Sequence, residues 1–337
     1  MSAQSRVEST SATPDSAKPR RRGLLDLGDS RTAVVSIWIA LAVGAVIAFV
    51  LRPALFNFDS IQIVLVLATV TIVVGLGQGA AIFVGGIDLS IPWTLTASAI
   101  MFAGIAKGSD GSVWPALIAA IALGAAIGAA NGFAIVRLNI HPVVMTLAMN
   151  TIVQGAIIGY TGGFATGSPP PSVGDFMNGS FLGISPALWL VLFLTVLVSF
   201  TLRQTVYGRR LQAVGLNPVA ARLAGAPSRL IAGSAYVISG TCAALAGVML
   251  SGIAGQSYLG MGDPYLLASI AVVALGGAAF SGGNGHFLGT VAAAILMSLL
   301  LTLLVTFHLP EAMRQVVLGL AVLAAVIAGR VRRRTSN

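Results

Sequence analysis

Apolar residues in this chain come in long uninterrupted runs, with neither the alternation of a half-buried strand nor the one-faced spacing of a surface helix. Such runs span roughly 33–51, 60–81, 91–106, 113–136, 142–160, 185–202, 230–252, 264–280, 287–307 and 313–329. Several approach the ~20 residues that carry a helix across the hydrocarbon core of a bilayer. The pattern predicts an all-α polytopic membrane protein with about ten transmembrane helices. The third and eighth runs are short, and eight crossings with these two segments re-entrant would also keep the two chain ends on one side.

Charge fixes the direction of the spans. Of the 19 Lys and Arg residues, six lie in residues 1–32, five between Arg203 and Arg229, and four between Arg330 and Arg334. Ten spans put all three stretches on one face, which the excess of basic residues in cytoplasmic segments marks as the inside. The opposite loops carry Asp59, Lys107, Asp110, Asp175, Asp263, His308 and Glu311, with Arg52 and Arg314 at span ends, so acids outnumber bases there. The expected location is the cell inner (plasma) membrane with both termini cytoplasmic. The net charge of +9 therefore reports topology and calls for no nucleic acid.

Composition then sets the domain organisation. The chain is 56% hydrophobic and 9% charged over 337 residues, against about 25% charged in an average soluble domain. Residues 1–32, rich in Ser, Pro and Arg, read as a disordered basic cytoplasmic tail, residues 33–330 as one transmembrane domain, and residues 331–337 as a short basic cytoplasmic tail. The run from 33 to 51 is longer than the apolar part of a secretory signal and is followed by further spans, so it is expected to remain as the first span. Glycine is abundant, with 40 residues, and Gly124, Gly128 and Gly132 line one helix face on which another backbone can approach closely.

The stretch RQTVYGRRLQAVGLNPVAARLAGAPSRL, from Arg203 to Leu230, interrupts the apolar pattern. Asn217 is a good N-cap, Pro218 suits the first helical position, and Gly225 suits the left-handed position beyond a C-terminus. A helix of about two turns from Pro218 to Ala224 is predicted, too short to be stable alone. Its Val219, Ala220, Ala221, Leu223 and Ala224 would gain from the groove of a partner, and Arg209, Arg210, Arg222 and Arg229 surround it without an acid. Contact with lipid headgroups is the alternative for such a basic loop.

Four blocks carry a resemblance: GQGAAIFVGGIDLSIPWTLTASA (77–99), YGRRLQAVGLNPVAARLAGA (207–226), YVISGTCAALAGVM (236–249) and SIAVVALGGAAFSGGNGHFLGT (269–290). In order and spacing they resemble the permeases of ribose, xylose and arabinose type ATP-binding cassette importers, over residues 34–330. The resemblance implies a permease homodimer, or a pair with a related permease, two ATPase subunits below it, and a soluble solute-binding protein outside. ATP and Mg would be held by the partner ATPase and no cofactor by this chain. The NxxAARLxG loop would dock on the ATPase through Asn217, Ala220, Ala221, Arg222 and Gly225. Two positions depart from the family pattern: Val219 replaces an acid before the Ala-Ala pair, and Ala268 stands where an Asp is common. The implied function is import of a sugar, a monosaccharide such as a pentose.

The chain cannot energise transport by itself. Lys18 and Lys107 are its only lysines and neither follows a glycine, so it has no triphosphate-cradling loop of the Walker type. Cation-coupled secondary transport of a small polar solute is the alternative, but it normally needs several intramembrane ionisable groups and Asp88 is the one acid in that position. No catalytic or metal set is proposed from Asp88, the single Cys242 and the dispersed His141, His286 and His308, so an enzyme is not expected.

Asp88 lies between Gly85-Gly86 and Pro92, which break the apolar run twice in eight residues. It either accepts hydrogen bonds from Ser90 and the first amides of the next helix as a structural cap, or lines the solute path as a gate. A second glycine-rich break contains Gly276, Gly277, Gly282 and Gly283, and the two breaks would be matching joints near the ATPase. Asn150, Gln154 and Tyr160 on the fifth run would offer hydrogen bonds to a solute's hydroxyls or serve as interhelical contacts. The outer loop from Thr161 to Pro186 is either a contact for the binding protein or a plain surface loop.

Overall fold

The computed structural model describes residues 26–165, 167–283, 285–310, 312–320 and 323. The expected basic tails therefore lie outside the described residues, apart from the start of the first helix, and the tenth apolar run is described only in part. The helices are α1 (Asp26–Leu51), α2 (Phe58–Phe83), α3 (Ile91–Ala106), α4 (Val113–Arg137), α5 (Pro142–Thr161) and α6 (Pro171–Asn178). They continue as α7 (Pro186–Gln204), α8 (Val206–Leu216), α9 (Pro218–Leu223), α10 (Ser228–Ala254), α11 (Tyr265–Leu275) and α12 (Phe287–Thr306). Residues 312–320 are helical as well, and no strand occurs among the described residues.

Seven of these helices, α1, α2, α4, α5, α7, α10 and α12, are long and apolar enough to cross a membrane. With 16 and 11 residues, α3 and α11 rise only about 24 and 16 Å. Irregular chain beside such short helices is tolerated in a bilayer only where protein covers the backbone. Here Gly86, Asp88 and Ser90 before α3, and Gly282 and Gly283 after α11, are buried.

Local chemistry explains where the helices begin and end. The Asn57 side chain accepts from the Ser60 amide at 2.7 Å to start α2. Ser185 does the same for the Ala187 amide at 3.2 Å, with Pro186 following it at the start of α7. Pro142 opens α5, where its missing N–H costs no intrahelical bond. Helix α1 starts at Asp26, ahead of the apolar run that begins at residue 33, because adding turns to an established helix is cheap compared with nucleating one.

The packing is concentric. In α2, 67% of the most apolar window is buried and in α10 56%, against 11% in α1 and in α5, so α2 and α10 are central and α1 and α5 peripheral. The expected glycine face of α4 meets α10 directly. A β-carbon on Gly124 would overlap the Gly240 carbonyl oxygen, and one on Gly128 would overlap that of Tyr236. One on Gly132 would come within 2.6 Å of the Gly233 oxygen. Hydrophobic driving force between helices is weak in lipid, and close backbone approach lets dispersion forces hold such a pair.

Candidate functional site

The loop between α7 and α10 is built as a rigid stub. Asn217 Oδ1 accepts from the amides of Val219 and Ala220, each at 3.0 Å, as its sequence position predicts. At the other end the Ala226 amide donates to the Ala221 oxygen at 2.9 Å, and the Gly225 amide to the Arg222 oxygen at 3.0 Å. Gly225 has φ +81°, so this is the Schellman arrangement in which a left-handed residue closes the last turn. Ser228 Oγ donates to the Pro218 oxygen at 3.1 Å and ties the two ends together.

The exposed side of this stub differs in one residue from the expected docking face. Val219 and Leu223 are exposed, as are Asn217, Ala220, Arg222, Ala224 and Gly225. Ala221 instead points inward and belongs to the main core cluster. It anchors α9 to the permease body, because a six-residue helix has one face to spare for that purpose and one for a partner.

Helix α8 lies wholly within the stretch that reads as a loop in the sequence. Tyr207 shares a hydrogen bond of 2.8 Å with Ser234 Oγ on α10. Burial holds the Tyr207 phenol above its ordinary range, opposed by that hydrogen bond, so the ring binds as a neutral group. Gly208 lets the start of α8 rest on the backbone of Thr201 and Leu202. Beside it Arg203 donates to His286 Nδ1 at 3.0 Å and links the end of α7 to the residue that precedes α12.

Both glycine breaks end their helices in the same way as α9. After α2, the Gly85 amide donates to the Ile82 oxygen and the Gly86 amide to the Ala81 oxygen, both at 2.9 Å, and Gly85 has φ +81°. After α11, Gly277 and Ala278 repeat the pair with Ala274 and Val273, both at 3.1 Å, and Gly277 has φ +91°. Gly276 packs on the backbone of Gly289 and Thr290, and Gly86 leaves room for the Tyr236 hydroxyl, which a β-carbon would overlap.

Asp88 is enclosed, at 1% exposure, and faces no open path in this conformation. Its Oδ1 accepts from the Ser90 amide at 2.9 Å and the Ser90 hydroxyl at 2.6 Å. The bond to the Ser90 amide is an Asx-type turn two residues ahead, and no bond from Asp88 to the first amides of α3 occurs among those described. Asn131 Nδ2 donates to Ser90 Oγ at 2.9 Å, and Tyr236 and Ser239 of α10 lie beside the carboxylate. Thr146 Oγ1 accepts from the Leu89 amide at 3.0 Å. The residues 87–90 are thereby tied to α4 and α5. Asn131, Thr146, Tyr236 and Ser239 have no sequence signal linking them to Asp88, since each lies on a helix far from it in the chain.

Of the three residues expected along the solute path, Asn150 and Gln154 share one face of α5, one turn apart, and Tyr160 stands apart. Asn150 Oδ1 accepts from the Trp93 amide at 3.4 Å, which answers the unpaired N–H that follows Pro92 at the start of α3. That is the interhelical reading of Asn150. Gln154 is half-buried, and Tyr160 is 80% exposed at the far end of α5. The α5 face carrying Thr151, Gly155 and Gly159 is exposed, and nothing approaches either glycine within 4 Å. On the outer side the Thr161–Pro186 loop contains α6, whose Met177 is buried against α10. Asp110 Oδ1 accepts from the Ser172 amide at 3.1 Å, and Ser172 holds that carboxyl below the usual carboxylate range.

Short broken helices packed among seven long apolar ones, with a basic capped stub between α7 and α10, define a multi-pass membrane protein. Residues 60–326 match the family described as the branched-chain amino acid transport system permease component, and the chain belongs to this family. It is 31% identical over 284 residues to the autoinducer 2 import system permease protein LsrC of Enterobacter sp. (strain 638), covering 84% of this chain and 82% of that one. It is 30% identical to the L-arabinose ABC transporter permease protein AraH of Azospirillum brasilense, covering 71% and 70%. It is also 29% identical to the ribose import permease protein RbsC of Escherichia coli (strain K12), covering 86% and 91%. It thus falls with the permeases of sugar ABC importers. No solved structure gives a significant match.

Proposed function

We propose that this chain is the membrane-spanning, non-catalytic subunit of an importer that carries a sugar of monosaccharide size, a pentose in the first instance, across the inner membrane. ATP hydrolysis in a separate ATPase subunit drives it, and a solute-binding protein outside supplies it. Two copies, or one copy and a related permease, would stand side by side with the solute passing between them, and both termini would face the cytoplasm. The relatives bearing the names of arabinose and ribose transport support the substrate class.

The observation that carries the reading is the preformed, outward-facing α9. A helix of six residues capped at both ends, flanked in the chain by the exposed Arg209, Arg210 and Arg229 and carrying Arg222 itself, leaves Val219 and Leu223 in the open. Apolar side chains so exposed in a basic segment fit a groove with acidic edges better than water. The test replaces Arg222 and Gly225 together and measures uptake and ATPase stimulation in proteoliposomes. Both should fall while the chain stays folded in the membrane; undiminished uptake would count against docking. Uptake driven by an ion gradient without ATP or the binding protein would establish the secondary-transport alternative in its place.

A further inference from the structure

The end of α8 is where the docking stub meets the two helix breaks. Gly215 lies two residues before Asn217, the cap of α9. A β-carbon placed on Gly215 would overlap the Phe83 carbonyl oxygen at the end of α2 and come within 2.5 Å of the Gly283 amide nitrogen. That amide itself donates to the Phe83 oxygen at 2.9 Å. A β-carbon on Gly282 would lie 2.7 Å from the Gly215 oxygen and 3.0 Å from the Gly85 nitrogen. The Leu216 side chain closes over Gly283, which a β-carbon there would overlap. Three backbones from distant parts of the chain thus meet at one point with no side chain between them.

We infer that Gly215, with Leu216, is a positioning residue that passes displacement of the docking stub to both helix breaks at once. The inference rests on the proposed role of α9 and adds the route by which its movement reaches the membrane. Asn217 is bound to α8 through its amide and the Ala213 oxygen at 3.0 Å, so α9 and the end of α8 move together. A push on α9 therefore arrives at Phe83, five residues before Asp88, and at Gly283, three residues before His286, which precedes α12. Side chains would absorb such a push by changing rotamer, whereas touching backbones transmit it. Both receiving segments carry glycines at positive φ: Gly85 at +81°, Gly282 at +84° and Gly283 at +83°. Such positions favour glycine, and they allow each segment to turn while the helices on either side stay intact.

The experiment uses the assembled importer in proteoliposomes, reading uptake, ATPase activity and copurification of the ATPase subunit. Gly215→Ala forces the three backbones apart, and Leu216→Ala removes the contact on Gly283 without adding bulk. Leu216 is 61% exposed, so its truncation leaves the fold in place should Gly215→Ala fail to insert. Both variants should copurify with the ATPase subunit as the wild type does. Gly215→Ala should lower uptake per ATP hydrolysed at least about tenfold, within the range typical of coupling between sites, and Leu216→Ala less severely. Unchanged uptake per ATP in Leu216→Ala, with or without a foldable Gly215→Ala, would overturn the inference. Failure of the wild-type chain to bind the ATPase subunit would instead sink the docking reading.

Discussion

Asn217 shows how much one side chain decides. It satisfies two of the free amides of α9, and replacing such a cap by Ala costs about 1 kcal/mol. A six-residue helix has little else to hold it. Asn217→Ala should weaken copurification with the ATPase subunit while leaving the melting temperature of the detergent-solubilised chain almost unchanged. At Asp88 the cost falls on the fold. Asp88→Ala leaves the Ser90 amide and hydroxyl without their acceptor, worth about 1–3 kcal/mol per buried group, and should lower the melting temperature. Asp88→Asn keeps an acceptor there and should retain most of the stability. If the Asn variant is as stable as wild type but abolishes uptake, the carboxylate is part of the gate. At Asp110, the folded form holds the carboxyl below its unfolded range, so its bond to α6 is present at neutral pH and is lost as acidification protonates it. Proteolysis within residues 162–185 should accelerate at a pH below the ordinary carboxylate range, and Asp110→Asn should remove that dependence.

Elements with purely local causes were legible from sequence. The start of α9 at Asn217-Pro218, its end at Gly225 and the two glycine breaks follow from residue types a few positions apart. Helix α8 was not expected, because VYGRRLQAVGL holds no long apolar run and its helical signal is only the short spacing of Tyr207, Leu211 and Val214. What holds it is the Tyr207 bond to Ser234 and the seat of Gly208 on α7, which are contacts between separate elements. The inward turn of Ala221 was hidden for the same reason, and so was the use of Asn150 to serve the start of α3. The glycine face of α4 was readable as a packing surface, though not its partner. Gly128→Leu should drive its side chain into the α10 backbone and cost about 1–3 kcal/mol or more, as overpacking does. Comparison of thermal unfolding with an uncrowded control, Gly319→Leu, separates packing from helix propensity, because a β-carbon on Gly319 would meet nothing within 4 Å.

At the scale of the whole molecule, α2, α10 and α12 form an inner group, and α1 and α5 are exposed along most of their length. Under the paired arrangement proposed above, α5 is the helix with an open small-residue face. Gly155→Leu combined with Gly159→Leu should disturb pairing or solute passage, seen as loss of uptake with a normally folded monomer. The contact between α4 and α10 has a different consequence. Their main chains touch along Gly124, Gly128 and Gly132 with no interlocking knobs to be rearranged. Prising them apart would forfeit that dispersion contact along its whole length and return nothing. Under the arrangement proposed above, the pair would stay together as a fixed pillar, and cargo would pass alongside it.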